Sequence, residues 1–172
     1  MIDESGFMLQ PLVRRTWAPV GVTPIHVASA NHARLSAIAA LTVSPQRKRV
    51  GLYFYLYDAN IRGPDIESFV RKVRRAIGND LHVIWDRLSG HRTAERLLAD
   101  LGDSVRFDYL PGYSPELNPV EQVWAHSKHG ELANYAPDDV LQLFDLVAAS
   151  LCRKQCQRKM LANFFNHAEL PL

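Results

Sequence analysis

The first third of the chain alternates apolar runs with turn residues, a pattern that is typical of β-strands. Three such runs, at residues 2–9, 34–43 and 50–57, are rich in β-branched and aromatic side chains. The short segment Ser-Pro-Gln-Arg-Lys-Arg lies between the second and third runs and predicts a hairpin turn. Consecutive strands joined in this way indicate an antiparallel meander.

Beyond residue 60 the apolar positions follow a helical period instead. From Ile66 to Ile77 they recur three, four and seven residues apart, and Gly78 marks the end of the predicted helix. Apolar runs at 81–85 and 105–110 predict two further strands, with a helix over 93–101 between them. Because strand–helix–strand units connect parallel strands, we predict an α/β fold with one mixed five-stranded sheet, an antiparallel meander followed by parallel strands, and helices on both faces.

The last third of the chain is predicted to be helical after a proline-rich loop at 111–119. Asn118 is a favourable N-cap and Pro119 suits the first position of the helix that follows. A final helix is predicted from about Pro137, with an apolar face formed by Val140, Phe144, Val147 and Leu151. No linker is long enough to divide the chain, so residues 1–172 are expected to form a single domain.

Composition excludes several classes of protein. Hydrophobic residues make up 47% and charged residues 22% of the 172 positions, which excludes a disordered tail, a collagen-like fibre and a disulfide scaffold. The net charge of +2 permits a nucleic-acid partner without requiring one. No apolar run is long enough to cross a membrane, and the acidic N-terminus is unlike a secretory signal. We therefore predict a cytoplasmic protein.

Three acidic residues occupy positions that suit catalysis in an α/β fold. Asp3 lies inside the first strand, Asp86 directly follows the strand at 81–85, and Glu121 lies in the first turn of the helix after the proline-rich loop. Burying an isolated carboxylate is costly, and three carboxylates together repel one another unless a divalent cation is present. Oxygen ligands suit Mg²⁺ or Mn²⁺, and two such ions can promote phosphodiester cleavage.

Each acid also has an ordinary structural interpretation. Asn118 and Glu121 have the spacing of a capping box, in which Glu121 only accepts a backbone N–H. Asp86 could cap the turn that follows it, and Asp3 lies close to a chain end, where side chains are usually solvated. The residue pattern alone leaves both interpretations open.

Four segments in a fixed order are more specific than any single residue. They are Asp-Glu-Ser-Gly-Phe at 3–7, Arg-Thr-Trp-Ala-Pro-Val-Gly at 15–21, Asp-x-x-x-x-His-Arg at 86–92, and the string LPGYSPELNPVEQVW at 110–124. With them the chain resembles, over nearly its whole length, the catalytic domain of DDE transposases of bacterial insertion sequences in the mariner-like superfamily. The 34 residues between Asp86 and Glu121 match the D, D, 34-residue, E spacing of that superfamily.

This resemblance implies an RNase H-like fold and a metal-dependent enzyme. Asp3, Asp86 and Glu121 would be the catalytic residues and would bind two Mg²⁺ or Mn²⁺ ions, with Glu121 favoured over the nearby Glu116 as third ligand. Water would first attack the phosphodiester at the transposon ends, and the freed 3′-hydroxyl would then attack target DNA. The implied partners are double-stranded DNA and a second copy of the protein in the DNA complex.

Two departures from the family pattern modify these expectations. Many relatives have Asn directly after the second Asp, where this chain has Arg87. Relatives also carry an N-terminal helix-turn-helix region, whereas this sequence starts two residues before Asp3. We therefore expect that an upstream reading frame encodes the DNA-reading segment, or that the chain is a truncated remnant.

Further residues are candidates for supporting roles. His91 could donate to a scissile phosphate, order the metal ligands, or serve as a structural histidine. Arg87 is a candidate for phosphate contact, and so is the hairpin tip Arg47, Lys48 and Arg49, whose simpler interpretation is a solvated turn. Trp124 is predicted to be a core residue.

Three functions compete at this point. The first is the transposase catalytic domain, which would act in the bacterial cytoplasm at the nucleoid. The second is an inactive remnant that keeps the fold and binds DNA or a full-length transposase. The third is another RNase H-like nuclease, acting on RNA–DNA hybrids, which the 34-residue spacing and the proline-rich string argue against.

Overall fold

The computed structural model describes residues 1–25, 33–170 and 172. Its first strands are β1 (Ile2–Met8), β2 (Arg34–Val43) and β3 (Val50–Tyr57), which form an antiparallel sheet in the order β1-β2-β3. Asp3 pairs with Ala39, and the Leu41 N–H donates to the Met1 carbonyl oxygen over 3.0 Å. The predicted meander is thus confirmed, and β1 is held to its neighbour from its first residue.

A parallel pair of strands follows, as predicted. Helix α1 (Gly63–Ile77) leads to β4 (Leu81–Trp85), and α2 (Ser89–Leu97) leads through a 3₁₀ segment (Ala99–Ser104) to β5 (Val105–Tyr109). Helix α1 ends at Gly78, which adopts φ 72° and donates its N–H to the Arg74 carbonyl oxygen. Helix α2 ends earlier than the predicted residue 101 because the chain tightens into the 3₁₀ segment, in which Gly102 has φ 53°.

The prediction of one five-stranded sheet is wrong. In the part of the chain that the structure describes, β4 and β5 form a sheet of their own beside the three-stranded one. Strands β1 and β4 are neighbours, but side chains rather than a backbone ladder join them, including Ile2, Val83 and Trp85 of a shared core. Hydrophobic patterning reports which strands are buried and not which edges are hydrogen-bonded, so this division was not visible in the sequence.

Helices complete the C-terminal part. A 3₁₀ turn (Pro115–Leu117) precedes α3 (Pro119–Ala125), a π-helical turn (His126–Glu131), α4 (Val140–Gln155) and α5 (Arg158–His167). Helix α4 begins after the predicted Pro137 because the Asp139 side chain accepts the Gln142 N–H and caps it. The predicted apolar face is corrected at Phe144, which is 40% exposed, while Leu143 is buried instead.

Helices cover both faces of the three-stranded sheet, as predicted. Leu35, Ala37, Ala39 and Leu41 of β2 face a core shared with α3, α4 and α5. The alternate residues Ile38 and Ala40 face a second core shared with α1, α2, β4 and β5, so β2 is buried on both sides. No helix in the described ranges is both long and apolar enough to span a bilayer.

Candidate active site

Asp3 is a buried carboxylate at the centre of the site. It is 8% exposed, and the Trp124 Nε1–H donates to its Oδ2 over 2.7 Å. The interpretation of Asp3 as a solvated terminal residue is therefore wrong. Trp124 is buried, as predicted, and packs edge-on against Phe7, but it also orients Asp3, which the sequence did not reveal.

The start of α3 brings Glu121 close to Asp3. The Asn118 side chain accepts the Val120 N–H over 3.2 Å and donates to the Ile2 carbonyl oxygen over 3.4 Å, so the N-cap also ties the helix to β1. The backbone N–H of Asn118 donates to Pro115 rather than to Glu121. The capping-box interpretation of Glu121 is therefore wrong, and its carboxylate remains available to the site.

The three acids are close enough to affect one another's pKa values. Burial raises the pKa of Asp3 to about 8, the charge of Glu121 adds to this, and those of Glu4 and Asp86 contribute less. Burial also raises the pKa of Glu121, with a further contribution from Asp86. A cluster of this kind is destabilised by mutual repulsion and would be stabilised by a bound cation.

Glu116, the rival third ligand, lies elsewhere. It is exposed on the 3₁₀ turn Pro115–Leu117, outside the rigid helix that carries Glu121. The structure therefore places Glu121, and not Glu116, beside Asp3.

His91 links Asp86 to Glu4 in the protein interior. Its ring is fully buried, with Nδ1 2.6 Å from Asp86 Oδ1 and Nε2 3.1 Å from each carboxylate oxygen of Glu4. Because both ring nitrogens face acceptors, these surroundings favour the doubly protonated ring. Burial lowers the pKa of His91, but the hydrogen bond and charge of Glu4, together with Asp86, outweigh burial and raise it.

This geometry argues against one of the predicted roles of His91. A fully buried ring that stacks on Trp85, with centroids 4.7 Å apart, is not exposed to a DNA phosphate. Ordering of Asp86 and a purely structural role both stay predictions. Glu4 is a residue that sequence reasoning missed, although its place directly after Asp3 was the available signal.

The two interpretations of Asp86 are compatible. Its Oδ1 accepts the Leu88 N–H over 2.9 Å, so Asp86 does cap the turn before α2. The side chain is nevertheless 43% exposed and has a second oxygen that is available to a ligand. Arg87 is exposed beside it.

Close packing of α1 on α2 sets the position of His91. A Cβ added at Gly63 would lie 2.6 Å from the Thr93 methyl carbon, so only glycine fits there. A Cβ added at Gly90 would lie 3.1 Å from the Ile66 side chain. These two glycines allow the N-terminal turns of both helices to meet, directly next to His91.

Lys128 is the second residue that sequence reasoning missed. It lies in the π-helical turn, and its Nζ donates to Ser5 Oγ over 2.7 Å. Burial lowers the pKa of Lys128, while the negative charges of Glu121 and Asp3 oppose this shift. The signal was its spacing of seven residues, about two helical turns, from Glu121.

The basic hairpin tip is not part of this cluster. Arg47, Lys48 and Arg49 are exposed, and the tip begins five residues along β2 from Ala39, the partner of Asp3. That separation is about 17 Å at the rise of an extended strand. Phosphate contact by the tip remains a prediction.

The acids are near one another without forming a closed ligand set. Over residues 1–25, 33–170 and 172, no three His, Cys, Asp or Glu side chains are grouped tightly enough to hold a metal ion. The site, which we name the acidic cleft, thus consists of the partly exposed carboxylates of Asp86 and Glu121 and the buried carboxylate of Asp3.

Comparison with known families assigns the chain. A family model described as DDE superfamily endonuclease matches residues 1–143. The chain belongs to the DDE superfamily endonuclease family. This family match confirms the resemblance that the four sequence segments carried. A search of curated proteins finds no match.

Solved structures show the same fold as this DDE-family chain. It is 16% identical to the Mos1 mariner paired end complex with Mn, with a TM-score of 0.65, covering 99% of this chain and 51% of that one. The Mos1 Strand Transfer Complex gives 16% identity and a TM-score of 0.63, with 99% and 50% covered. The simian T-cell lymphotropic virus intasome in complex with PP2A regulatory subunit B56 gamma gives 14% identity, a TM-score of 0.51, and 86% and 52% covered.

At these identities the similarity establishes the fold alone, an RNase H-like α/β arrangement. The chain spans about half the length of the Mos1 chains that it matches.

Proposed function

We propose that this chain is the catalytic domain of a mariner-like insertion-sequence transposase that cleaves DNA at transposon ends and joins the freed 3′-hydroxyl to target DNA. The observation that carries the proposal is the buried Asp3, whose pKa is raised to about 8 by burial and by the neighbouring Glu121 and Asp86. Membership of the endonuclease family supports the same chemistry.

The donor set fits a pair of Mg²⁺ or Mn²⁺ ions. Asp3, Asp86 and Glu121 would hold them, since all three offer carboxylate oxygens and a cation would offset their mutual repulsion. Bound ions of this kind activate an attacking hydroxyl and stabilise a leaving oxygen. The Mos1 paired end complex with Mn is a related fold described with one of these metals.

The chain's own side chains prepare the site. Trp124 fixes one oxygen of Asp3, and His91 and the Leu88 N–H fix one oxygen of Asp86. Lys128 provides a positive charge near Asp3 and Glu121, which suits a phosphate oxygen of the DNA backbone.

DNA and protein partners follow from the same proposal. The substrates are the double-stranded transposon ends and the target, with Arg87 and the tip residues Arg47, Lys48 and Arg49 as candidate phosphate contacts. Joining two transposon ends implies a homodimer, and a separately encoded helix-turn-helix segment would read the end sequences. The protein would act in the bacterial cytoplasm, at the nucleoid.

Mn²⁺ titration by calorimetry, with and without a DNA duplex, tests the metal site. We expect saturable binding that is lost in Asp86→Asn and retained in Asp108→Asn. Asp108 is a matched control, because it is an exposed acid at the end of β5 that pairs with His82. Absence of Mn²⁺ binding under both conditions would reject the enzyme and favour the inactive remnant.

A further inference from the structure

The proposed ligands are carried by two different sheets. Asp3 lies on β1 of the three-stranded sheet, and Asp86 directly follows β4 of the two-stranded sheet. No backbone ladder joins these sheets within the ranges that the structure describes. The separation of Asp3 from Asp86 therefore depends on the side chains that cross between the sheets.

The His91 side chain connects the two sheets and forms a bridge between Glu4 and Asp86. His91 contacts Glu4 of β1 through Nε2, at 3.1 Å, and Asp86 through Nδ1, at 2.6 Å. The ring is fully buried and the Glu4 side chain is 15% exposed, so the contact between His91 and Glu4 is shielded from water and lies in a medium where hydrogen bonds are strong.

Strand geometry ties this bridge to Asp3. Successive residues of a strand point to opposite faces, so neighbouring Asp3 and Glu4 face different helices. Asp3 meets Trp124 of α3, and Glu4 meets His91 of α2. A displacement of β1 away from β4 would therefore both stretch the bridge and separate Asp3 from Asp86.

We propose that Glu4 and His91 are positioning residues that hold Asp86 in register with Asp3 and thereby set the affinity of the site for divalent metal. The inference rests on the proposed function, since it concerns the same acidic site. Groups that orient metal ligands commonly contribute about 10- to 100-fold to metal affinity, although they do not touch the metal.

A purely structural role for the bridge makes a different prediction. It would lower stability when the bridge is cut, without changing the Mn²⁺ affinity of the protein that remains folded. The chain offers a matched control in His82 of β4, which pairs with Asp108 at 2.6 Å but is 57% exposed and lies outside the acidic cleft.

The experiment measures Mn²⁺ affinity and the electron paramagnetic resonance spectrum of bound Mn²⁺ in four single variants and one double variant, in the presence of a DNA duplex. Glu4→Leu removes the acceptor, and His91→Asn keeps a donor for Asp86 but is too short to reach Glu4. Glu4→Gln is the conservative variant, because its amide oxygen still accepts from His91. His82→Gln is the control, and thermal melting confirms that each variant is folded.

We expect Glu4→Leu and His91→Asn each to weaken Mn²⁺ binding about 10- to 100-fold and to change the spectrum. Glu4→Gln should restore most of the affinity, and His82→Gln should match the wild type. The double variant Glu4→Leu/His91→Asn should bind no more weakly than either single variant, because both break one bridge.

Two results would overturn the inference, and they are distinguishable. Wild-type affinity and spectrum in folded Glu4→Leu and His91→Asn would reject the bridge as a positioning device while leaving the proposed metal site in place. Absence of Mn²⁺ binding by the wild type would instead reject the proposed function, and the inference with it.

Discussion

Among the described residues, two buried charged clusters have opposite electrostatics. In the acidic cleft, burial and the charge of Glu121 raise the pKa of Asp3 to about 8. In the second cluster the fully buried Lys154 lies 3.0 Å from Glu131, which also meets Arg153 at 2.9 Å. Burial opposes ionisation of Glu131, but hydrogen bonds from Ser150 and Lys154 outweigh it and lower its pKa to about 2.

The difference distinguishes a carboxylate whose charge is paired within the fold from one whose charge is not. Glu131 is paired with Arg153 and Lys154 of α4, so its charge is compensated. These ion pairs join the π-helical turn to α4. Burial and the neighbouring carboxylates raise the pKa of Asp3 although Lys128 lies nearby, so its environment favours the neutral form in the absence of a bound cation. A carboxyl pKa that is raised, as in Asp3, is a more informative sign of function than one that is lowered by paired cations, as in Glu131.

The largest expected effect is on catalysis. If the acidic cleft binds the metal ions, Asp86→Asn and Glu121→Gln should each lower metal-dependent DNA cleavage by about a hundredfold or more while leaving the fold intact. Glu116→Gln is the control and should cleave normally, because Glu116 is exposed outside the cleft. Cleavage assays on a duplex carrying the transposon end, with circular dichroism for folding, measure this. Full activity in either of the first two variants would remove that residue from the site.

The second cluster should respond in stability instead. Lys154→Met leaves the Glu131 carboxylate without its buried partner and should lower the free energy of unfolding by about 3 kcal/mol, as measured by urea denaturation. Lys159→Met, at an exposed position of α5, is the control and should change it little. A loss below about 0.5 kcal/mol for Lys154→Met would mean that Arg153 alone satisfies Glu131.

The pH dependence of stability should sharpen the contrast. The folded chain keeps a proton on Asp3 up to about pH 8, whereas the unfolded chain releases it near pH 4. The contribution of Asp3 therefore becomes less favourable as pH rises from 4 to 8, and is constant outside that window. Asp3→Asn should remove this slope and stabilise the metal-free protein at pH 8.

Glu131 behaves in the opposite way. Its folded-state pKa of about 2 lies below the ordinary 4.5, so its stabilisation is present above pH 4.5 and is lost as pH falls to 2. Denaturation curves at several pH values check both residues. A wild-type profile unchanged by Asp3→Asn would show that Asp3 ionises normally.

The smallest expected effect concerns the hairpin tip, whose residues Arg47, Lys48 and Arg49 are exposed. If Lys48 contacts phosphate, Lys48→Ala should weaken DNA binding a few-fold and reduce the slope of log affinity against log salt by about 0.9. Fluorescence anisotropy at several salt concentrations measures the slope. An unchanged slope would leave the tip as a solvated turn.

The elements and most of the site could be predicted because they depend on local pattern. Gly78 caps the end of α1 and Asn118 caps the start of α3, and the residue types alone indicated both caps. The error at Phe144 arose because a helical period admits neighbouring faces, and only packing selected Leu143 instead. The division into two sheets could not be predicted either, since the hydrophobic pattern of β1 is the same whether or not its edge is hydrogen-bonded to another strand.

The sequence by itself determined the order of strands and helices and the family, and it indicated Asp3, Asp86 and Glu121 as candidate ligands, because periodicity, caps and motif spacing are read along the chain. Only the tertiary structure decided which partners these acids have. Trp124 is 121 residues from Asp3, and His91 is 87 residues from Glu4. Contacts over such separations are set by how the elements pack, and it is packing that buries Asp3, raises its pKa and joins the two sheets through His91.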